Sequence, residues 1–376
     1  MIKTACYIHI PFCDHKCIYC DFYSIITSDN INPFLKSIEK EINYFSSKHS
    51  KNRELISIYF GGGTPSLMET DYIKQIICLV KKNFTVNEAA EITIETNPGT
   101  VSLDKLKRFK ESGINRISIG IQSFDDEELK FLTRIHNYKT AIETVNNAYN
   151  AGFGNISIDL IFNLPNQTKK KWKENLVKAI DLPIKHISAY SLILERGTIL
   201  NKMVLDGKVE LQDADYDANL YETTIEFLDQ KGFYQYEVSN FTKPDYECVH
   251  NNAYWRYGEY FGLGTSAHSF INKKRWWNFS SLKKYISEIE LCGQAIAGSE
   301  IITAEKELDE YVMLALRSSG LNLNEFSERF GVAWLEKKNS YFNLLEKKKL
   351  LEITNGSIKL TGTGYAVCDE ILKEIL

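Results

Sequence analysis

Tyr7-Ile8-His9-Ile10-Pro11-Phe12-Cys13-Asp14-His15-Lys16-Cys17-Ile18-Tyr19-Cys20-Asp21-Phe22 is the stretch around which the chain is organised. An apolar strand ends near Pro11, and Cys13, Cys17 and Cys20 follow in C-x3-C-x2-C spacing on the loop after it. Thiolates this close in sequence can converge on one soft metal centre. Their number is informative, because structural zinc sites and all-cysteine iron–sulfur clusters usually take four protein ligands. Three thiolates on a [4Fe–4S] cluster leave one iron open to a substrate or cofactor. Two other readings stay open on these residues alone. One is zinc with His15 or His9 as fourth ligand. The other is disulfide pairing, against which stand the lack of a secretory signal and of any paired framework among the eight cysteines.

The chain has 376 residues, enough for about two or three domains. Its composition is that of a globular protein, 44% hydrophobic and 25% charged with seven prolines. A formal net charge of −4 gives no electrostatic reason to expect nucleic acid as the main partner. No apolar run approaches the ~18 residues that would span a bilayer. The first residues run straight into a strand, leaving no room for a signal peptide, so a soluble cytoplasmic protein is expected. Cys78, within Ile76-Ile77-Cys78-Leu79-Val80, reads as a helix-core residue. Cys6, Cys292 and Cys368 carry no assigned chemistry.

Short β-branched runs alternate with stretches of helical period. Strands are expected at 4–10, 55–60, 91–96, 116–121, 155–161 and 186–193, and helices near 32–48, 69–83, 102–112, 125–132, 138–151 and 168–180. Such alternation argues for βαβ units and a parallel sheet. Six repeats fit a barrel or partial barrel, in which chemistry sits at the C-terminal ends of the strands.

After strand two stands Gly61-Gly62-Gly63-Thr64-Pro65-Ser66, where glycines let backbone approach a ligand; a tight turn explains the run equally well. Strand three ends in Glu95-Thr96-Asn97-Pro98. A carboxylate aimed into a barrel mouth needs partners, such as a ribose diol, although solvation at the strand end is the plainer reading. Gln122 ends strand four, and Arg134 follows the next helix, suited to a carboxylate or to a surface ion pair. Asp159 sits inside the apolar strand five. Strand six carries Ser188-Ala189-Tyr190-Ser191-Leu192, followed by Glu195-Arg196-Gly197-Thr198. Five successive strand ends with ligand-competent groups, behind a cysteine loop, are poorly explained by chance.

The cysteine spacing resembles the radical S-adenosylmethionine (SAM) superfamily. Phe60 through Ser66, Glu95 through Pro98, Arg116 through Phe124, Arg134-Ile135-His136, Asp159 through Thr168 and Tyr236 through Phe241 extend the likeness over roughly the first 270 residues. They point to the branch containing oxygen-independent coproporphyrinogen III dehydrogenase and the paralogous heme chaperones. The resemblance implies an α/β fold, a partial (β/α)6 radical SAM barrel. It implies a [4Fe–4S] cluster on Cys13, Cys17 and Cys20, whose open iron chelates SAM and whose electron cleaves it to a 5′-deoxyadenosyl radical. It also implies SAM contacts at Tyr7, Gly62, Gly63, Thr64, Glu95, Gln122, Arg134 and Asp159. Asn163 and Asn166 stand where the family usually has glycine; asparagine tolerates left-handed backbone, so the turn is expected to survive.

Three features separate the two branches. Phe22 occupies the position of the dehydrogenase's fourth cysteine, and the chain begins only a few residues before Tyr7. His250-Asn251-Asn252-Ala253-Tyr254-Trp255 matches the HNxxYW motif of the chaperones. A neutral imidazole is a standard heme ligand, and aromatic rings can flank a porphyrin; a histidine bonded within a loop is the structural alternative. Cys248 is a further thiol near the motif. Tyr260 through Ser269, with two glycines, reads as a structural loop near the cofactor rather than a dinucleotide loop.

From about residue 301 helical patterns run through 305–318, 323–330 and 332–347, then two short strands at 350–354 and 357–360 around Asn355-Gly356, and a last helix from about 363. This resembles a winged-helix module without a basic face, since Lys347-Lys348-Lys349 reads as a solvated helix end. The expected division is a barrel at 1–205, an extension at 206–300 carrying the HNxxYW motif, and a winged-helix-like C-terminal α+β domain at 301–376. The leading expectation is a heme chaperone passing heme to apo-hemoproteins, with an electron donor for the cluster and a homodimer left open. The alternatives are oxidative decarboxylation of coproporphyrinogen III propionates and, more weakly, a DNA-binding regulator.

Overall fold

The computed structural model describes residues 1–27, 29–354 and 356–376. Six βα units come first: β1 (Ile2–Ile10), α1 (Ile31–His49), β2 (Arg53–Gly62), α2 (Thr70–Asn83), β3 (Thr85–Thr96), α3 (Leu103–Glu111), β4 (Arg116–Gln122), α4 (Asp126–Phe131), α5 (Tyr138–Asn150), β5 (Asn155–Phe162), α6 (Lys169–Ile180) and β6 (His186–Ser191). The helices start where short polar side chains satisfy free amides: Ser102, Asp125, Asn137 and Thr168 each accept from a first-turn N–H. β1 through β6 pair in parallel in chain order, the partial barrel. β3 starts six residues before the expected 91, and Leu192 and Ile193 lie beyond the end of β6.

The next segment adds α7 (Ile199–Leu205), α8 (Ala214–Asp229), β7 (Tyr234–Glu237), β8 (Asn240–Thr242), α9 (Val249–Trp255), β9 (Glu259–Leu263), β10 (His268–Ile271), β11 (Lys274–Asn278), α10 (Leu282–Cys292) and β12 (Ile296–Ile301). It extends the sheet at both edges, giving the order β12-β11-β10-β9-β1-β2-β3-β4-β5-β6-β8-β7. β9 runs parallel to β1, and β8 antiparallel to β6. The sheet therefore does not close by pairing β1 with β6. Gly264, with φ +92°, packs against the backbone of His9; a Cβ there would stand 2.5 Å from the His9 carbonyl oxygen.

The C-terminal part comprises α11 (Ala304–Leu316), β13 (Leu321–Asn322), α12 (Leu323–Phe330), α13 (Ala333–Lys347), β14 (Leu351–Thr354), β15 (Ser357–Leu360), α14 (Gly362–Ala366) and α15 (Cys368–Ile375). Its small antiparallel sheet, β13-β15-β14, and its helices enclose a second core around Val312, Leu316, Phe326 and Ile375. Asn355 of the expected hairpin turn lies outside the described residues. Lys347, Lys348 and Lys349 are exposed. Among the described residues no helix is long and apolar enough to cross a membrane.

One core expectation is corrected. Cys78 is exposed. Ile73, Ile76, Ile77 and Val80 form the buried stripe of α2, and a 3.6-residue period turns position 78 away from it.

Candidate functional site: a cysteine-lined cavity at the barrel mouth

Strand alternation makes the barrel interior polar. Ser57 and Tyr59 of β2, Glu91, Thr93 and Glu95 of β3, Arg116 and Ser118 of β4, and Ser157 and Asp159 of β5 follow the period-two rhythm of one sheet face. At the C-terminal strand ends this interior opens into a cavity of about 370 Å³. Cys13, Cys17, Cys20, Gly62, Gly63, Thr64, Glu95, Gln122, Arg134 and Asp159 all line it. Tyr7 lies behind the wall, its hydroxyl 3.2 Å from His9 Nδ1. His250 is not among the lining residues.

The cysteine loop is pinned at several points. Phe12 and Ile25 form an isolated bridge, Gly63 N–H donates to Ile10 O, and Thr64 N–H donates to Phe12 O at 2.8 Å each. Thr133 Oγ1 accepts the Ile18 amide at 3.2 Å and stands 3.3 Å from His15 Nε2. Cys13 Sγ lies 3.1 Å from Thr64 Oγ1, and Arg134 Nη1 donates to Cys17 Sγ at 3.6 Å. None of the eight cysteines is paired in a disulfide. Among the described residues no group of three His, Cys, Asp or Glu side chains is gathered tightly enough to hold one metal ion. The two histidines of the zinc alternative are otherwise engaged, His9 Nε2 with Tyr23 O at 2.9 Å and His15 with Thr133.

The glycine run has a steric reason. Gly62 has φ +113°, and a Cβ there would sit 2.6 Å from the His9 ring; a Cβ on Gly63 would stand 2.5 Å from Phe12 O. Glu95 Oε1 accepts from Tyr59 O–H at 2.9 Å and Oε2 from Gly62 N–H at 3.1 Å. Burial, and then Asp159 nearby, pushes the Glu95 carboxyl up to about 7. Burial also raises Asp159, opposed by hydroxyls of Ser188 and Ser118. Gln122 holds φ +70° at a bulge of β4, a strained backbone of the kind that clusters at ligand sites. Asn163 and Asn166 adopt φ +60° and +61°, the left-handed turn expected of them.

Sequence reasoning missed Asn97, which lines the cavity. Its Nδ2 donates to Thr64 Oγ1 at 2.9 Å, and its Oδ1 accepts from Arg134 Nη2 at 2.7 Å. Its one signal was its place directly after Glu95-Thr96. Also missed were Glu91 and Arg116, whose signal was the polar alternation along β3 and β4. Phe22 and Ile193, exposed by 61% and 65%, form an apolar rim at the mouth.

The residues fit a three-thiolate cluster and a polar cofactor. Three unpaired thiols share one cavity with a glycine cradle and a cation directed at Cys17. Arg134 Nε and Thr96 Oγ1, on two cavity-lining residues, are buried without protein partners. Each such group costs about 1–3 kcal/mol unless a ligand or water satisfies it.

His250 sits at the opposite, N-terminal side of the barrel interior, on α9, and is 2% exposed. Its Nδ1 lies 2.9 Å from Ser57 Oγ and its Nε2 3.0 Å from Tyr254 O–H. Burial, assisted by Arg116, lowers its pKa to about 3, so the ring is neutral. Cys248 is fully buried, its thiol raised to about 12 by burial.

Comparison with known proteins follows the same lines. A radical SAM superfamily model matches residues 7–178 and a HemN C-terminal domain model residues 302–367. The heme chaperone HemW of Bacillus subtilis is 33% identical, the alignment covering 100% of this chain and 99% of that protein. The heme chaperone HemW of Lactococcus lactis is 31% identical over 99% of this chain and 97% of that protein. The solved coproporphyrinogen III oxidase (HemN) of Escherichia coli, a radical SAM enzyme, shares the fold: TM-score 0.84 at 24% identity, covering 100% of this chain and 90% of that one. With a cysteine-lined barrel mouth, both domain models and full-length likeness to the chaperones, the chain belongs to the HemW heme chaperone family of the radical SAM superfamily.

Proposed function

We propose that this protein binds heme and delivers it to apo-hemoproteins, and that it carries a [4Fe–4S] cluster on Cys13, Cys17 and Cys20 with SAM beside it. The observation that carries this reading is the convergence of the three thiols and seven polar or glycine positions on one cavity, in a chain akin to heme chaperones over its whole length. When bound, such a cluster supplies an open iron and an electron. The chain's own residues supply the rest. Gly62 and Gly63 keep backbone close to the ligand, and Arg134 offers positive charge beside Cys17. Glu95 and Asp159 present carboxyl groups to hydroxyl or ammonium donors, and Gln122 and Thr64 add neutral polar contacts. Tyr7 backs the wall. An electron donor is required for the cluster, and the compartment we propose is the cytoplasm. Oligomerisation as a homodimer is compatible with this reading.

Heme capture is assigned to α9, with His250 as the iron ligand. Both ring nitrogens of His250 are engaged in the closed arrangement, so ligation calls for α9 to withdraw from the barrel base. Decarboxylation of coproporphyrinogen III is the reading the comparisons do not favour. The deciding experiment is an anaerobic assay of the reconstituted protein with SAM, reductant and coproporphyrinogen III, beside a heme titration read at the Soret band. Saturable heme binding without porphyrin turnover is expected. Multiple turnover to protoporphyrinogen would replace the chaperone reading with the enzymatic one.

A further inference from the structure

The cofactor cavity and the α9 helix are joined by a short chain of side chains through the barrel. The His250 ring stacks on Tyr59, with centroids 4.8 Å apart and planes 28° apart. Tyr7 completes a cluster of three rings, 6.1 Å and 28° from Tyr59 and 6.2 Å from His250. The Tyr59 hydroxyl donates to Glu95 Oε1 at 2.9 Å, and Glu95 Oε2 takes the Gly62 amide of the glycine cradle at 3.1 Å. His250 is itself fixed at both nitrogens, by Ser57 and by Tyr254. A Tyr59 side chain free to turn about its Cα–Cβ bond would carry its hydroxyl off Glu95, because the hydroxyl is at the far end of the side chain, whereas spinning of the ring about its own axis would leave it in place. The cradle would feel such a turn, since the space of a Gly61 Cβ is bounded by Tyr59 at 3.1 Å, Glu95 at 3.1 Å and Tyr7 at 2.9 Å.

We propose that His250 is a positioning residue for the SAM cavity: its ring holds Tyr59, and Tyr59 aims Glu95. This rests on the reading of the cavity as a SAM site, and it gives His250 a task in the heme-free protein distinct from iron ligation. The flat ring, rather than a lone pair, is what the task needs. Phenylalanine can therefore substitute for it here while being unable to ligate iron.

The test is SAM binding by calorimetry to heme-free, anaerobically reconstituted protein, with iron and sulfide content matched across variants. His250→Ala and Tyr59→Phe should each weaken SAM about tenfold, the scale of one well-aimed hydrogen bond to a charged group. Their combination should be no weaker than about threefold below either alone, because both break the same path. His250→Phe should stay within about threefold of the parent. Should the alanine variant not fold, His250→Leu fills the volume without a flat ring and is expected to bind as weakly. Parental SAM affinity in His250→Ala or His250→Leu overturns the inference, as does a multiplicative, about hundredfold loss in the double variant. A parent that binds no SAM overturns the cavity reading and takes this inference with it.

Discussion

Replacing Glu91 tests how the barrel base is held. Glu91 is 6% exposed, and its carboxylate accepts the Val249 and His250 amides at 3.2 Å each, the first free amides of α9. Arg116 Nε stands 3.8 Å from the same carboxylate, and Arg116 is 2% exposed. Removing one partner of a buried pair costs roughly 3–5 kcal/mol, because the other charge is left without compensation. The two freed amides would add about 1 kcal/mol each, less whatever water recovers in the new space. Glu91→Ala should therefore destabilise the chain by roughly 4 kcal/mol or more. Glu91→Gln, which keeps the shape and an acceptor, should cost about half of that. Urea titration followed by circular dichroism gives the total, and hydrogen exchange at the α9 amides gives the local part. Arg116→Met removes the stranded charge, so the double variant Glu91→Gln/Arg116→Met should lose at least about 2 kcal/mol less than the sum of the singles. A Glu91→Ala loss under about 1 kcal/mol, or a strictly additive cycle, would refute the claim that this pair holds α9.

Three further outcomes are expected. Gly63→Ala places a Cβ 2.5 Å from Phe12 O and 3.1 Å from Ile10 O, both backbone, so the cysteine loop must shift; SAM affinity should fall at least about tenfold, and a parental titration would show the cradle is not needed. Cys17→Ala should abolish the brown cluster absorbance while far-ultraviolet dichroism is kept; unchanged iron and sulfide content would dismiss the cluster assignment. Glu41 is fully buried, accepting from Tyr285 O–H at 2.6 Å, Asn278 Nδ2 at 2.6 Å and Gly264 N–H at 2.8 Å, and burial pushes it up to about 7. The folded state thus holds a proton that the unfolded state releases near the ordinary carboxylate value, so its stability contribution is complete below that value and is lost as pH rises through about 7. Between about pH 5 and pH 8 the parent should lose stability, and Glu41→Gln should remove up to about 3 kcal/mol of that fall; an unaltered pH slope would show that Glu41 titrates normally.

The repeat of strands and helices was legible because it depends on local period: β-branched runs of strand length alternate with amphipathic stretches, and the caps are single residues such as Ser102 and Thr168. Asn163 and Asn166 were legible for the same reason, since a left-handed turn is a property of one residue. The strands after β6 were harder. β7 to β12 are short, and their pairing, with β9 returning beside β1, depends on contacts across most of the chain. Cys78 shows the limit of composition: an apolar run does not say which residue of a helix faces outward. In the site, strand-end residues could be named because barrel topology says where to look. His250 could not be placed that way. Its partner Ser57 lies 193 residues earlier, and nothing near either residue encodes the other. Asn97 carries no comparable mark, because asparagine before proline is ordinary turn chemistry.

The same geometry gives a way to decide whether His250 reaches heme iron. A seven-residue helix such as α9 is not stable by itself, so it stays at the barrel base through Glu91, Ser57 and the packing of Tyr254 against Tyr260. If α9 must leave before iron can meet the imidazole, every kilocalorie that holds it closed weakens heme binding, by about tenfold for each 1.4 kcal/mol. Glu91→Gln keeps an acceptor for one of the two α9 amides and loses the other, so it loosens α9 by about 1 kcal/mol without touching His250's ring. A destabilising change should then strengthen a ligand: the variant should bind heme about fivefold more tightly than the parent. His250→Ala in the same background should erase the gain and shift the Soret band. Tighter binding cannot come from damage to a preformed heme pocket, which would only weaken it. A heme titration of Glu91→Gln equal to the parent's, with α9 amides exchanging faster, would mean that opening the base exposes no iron ligand. His250 would then belong wholly to Tyr59 and Glu95, and the heme site would have to be sought elsewhere on the chain.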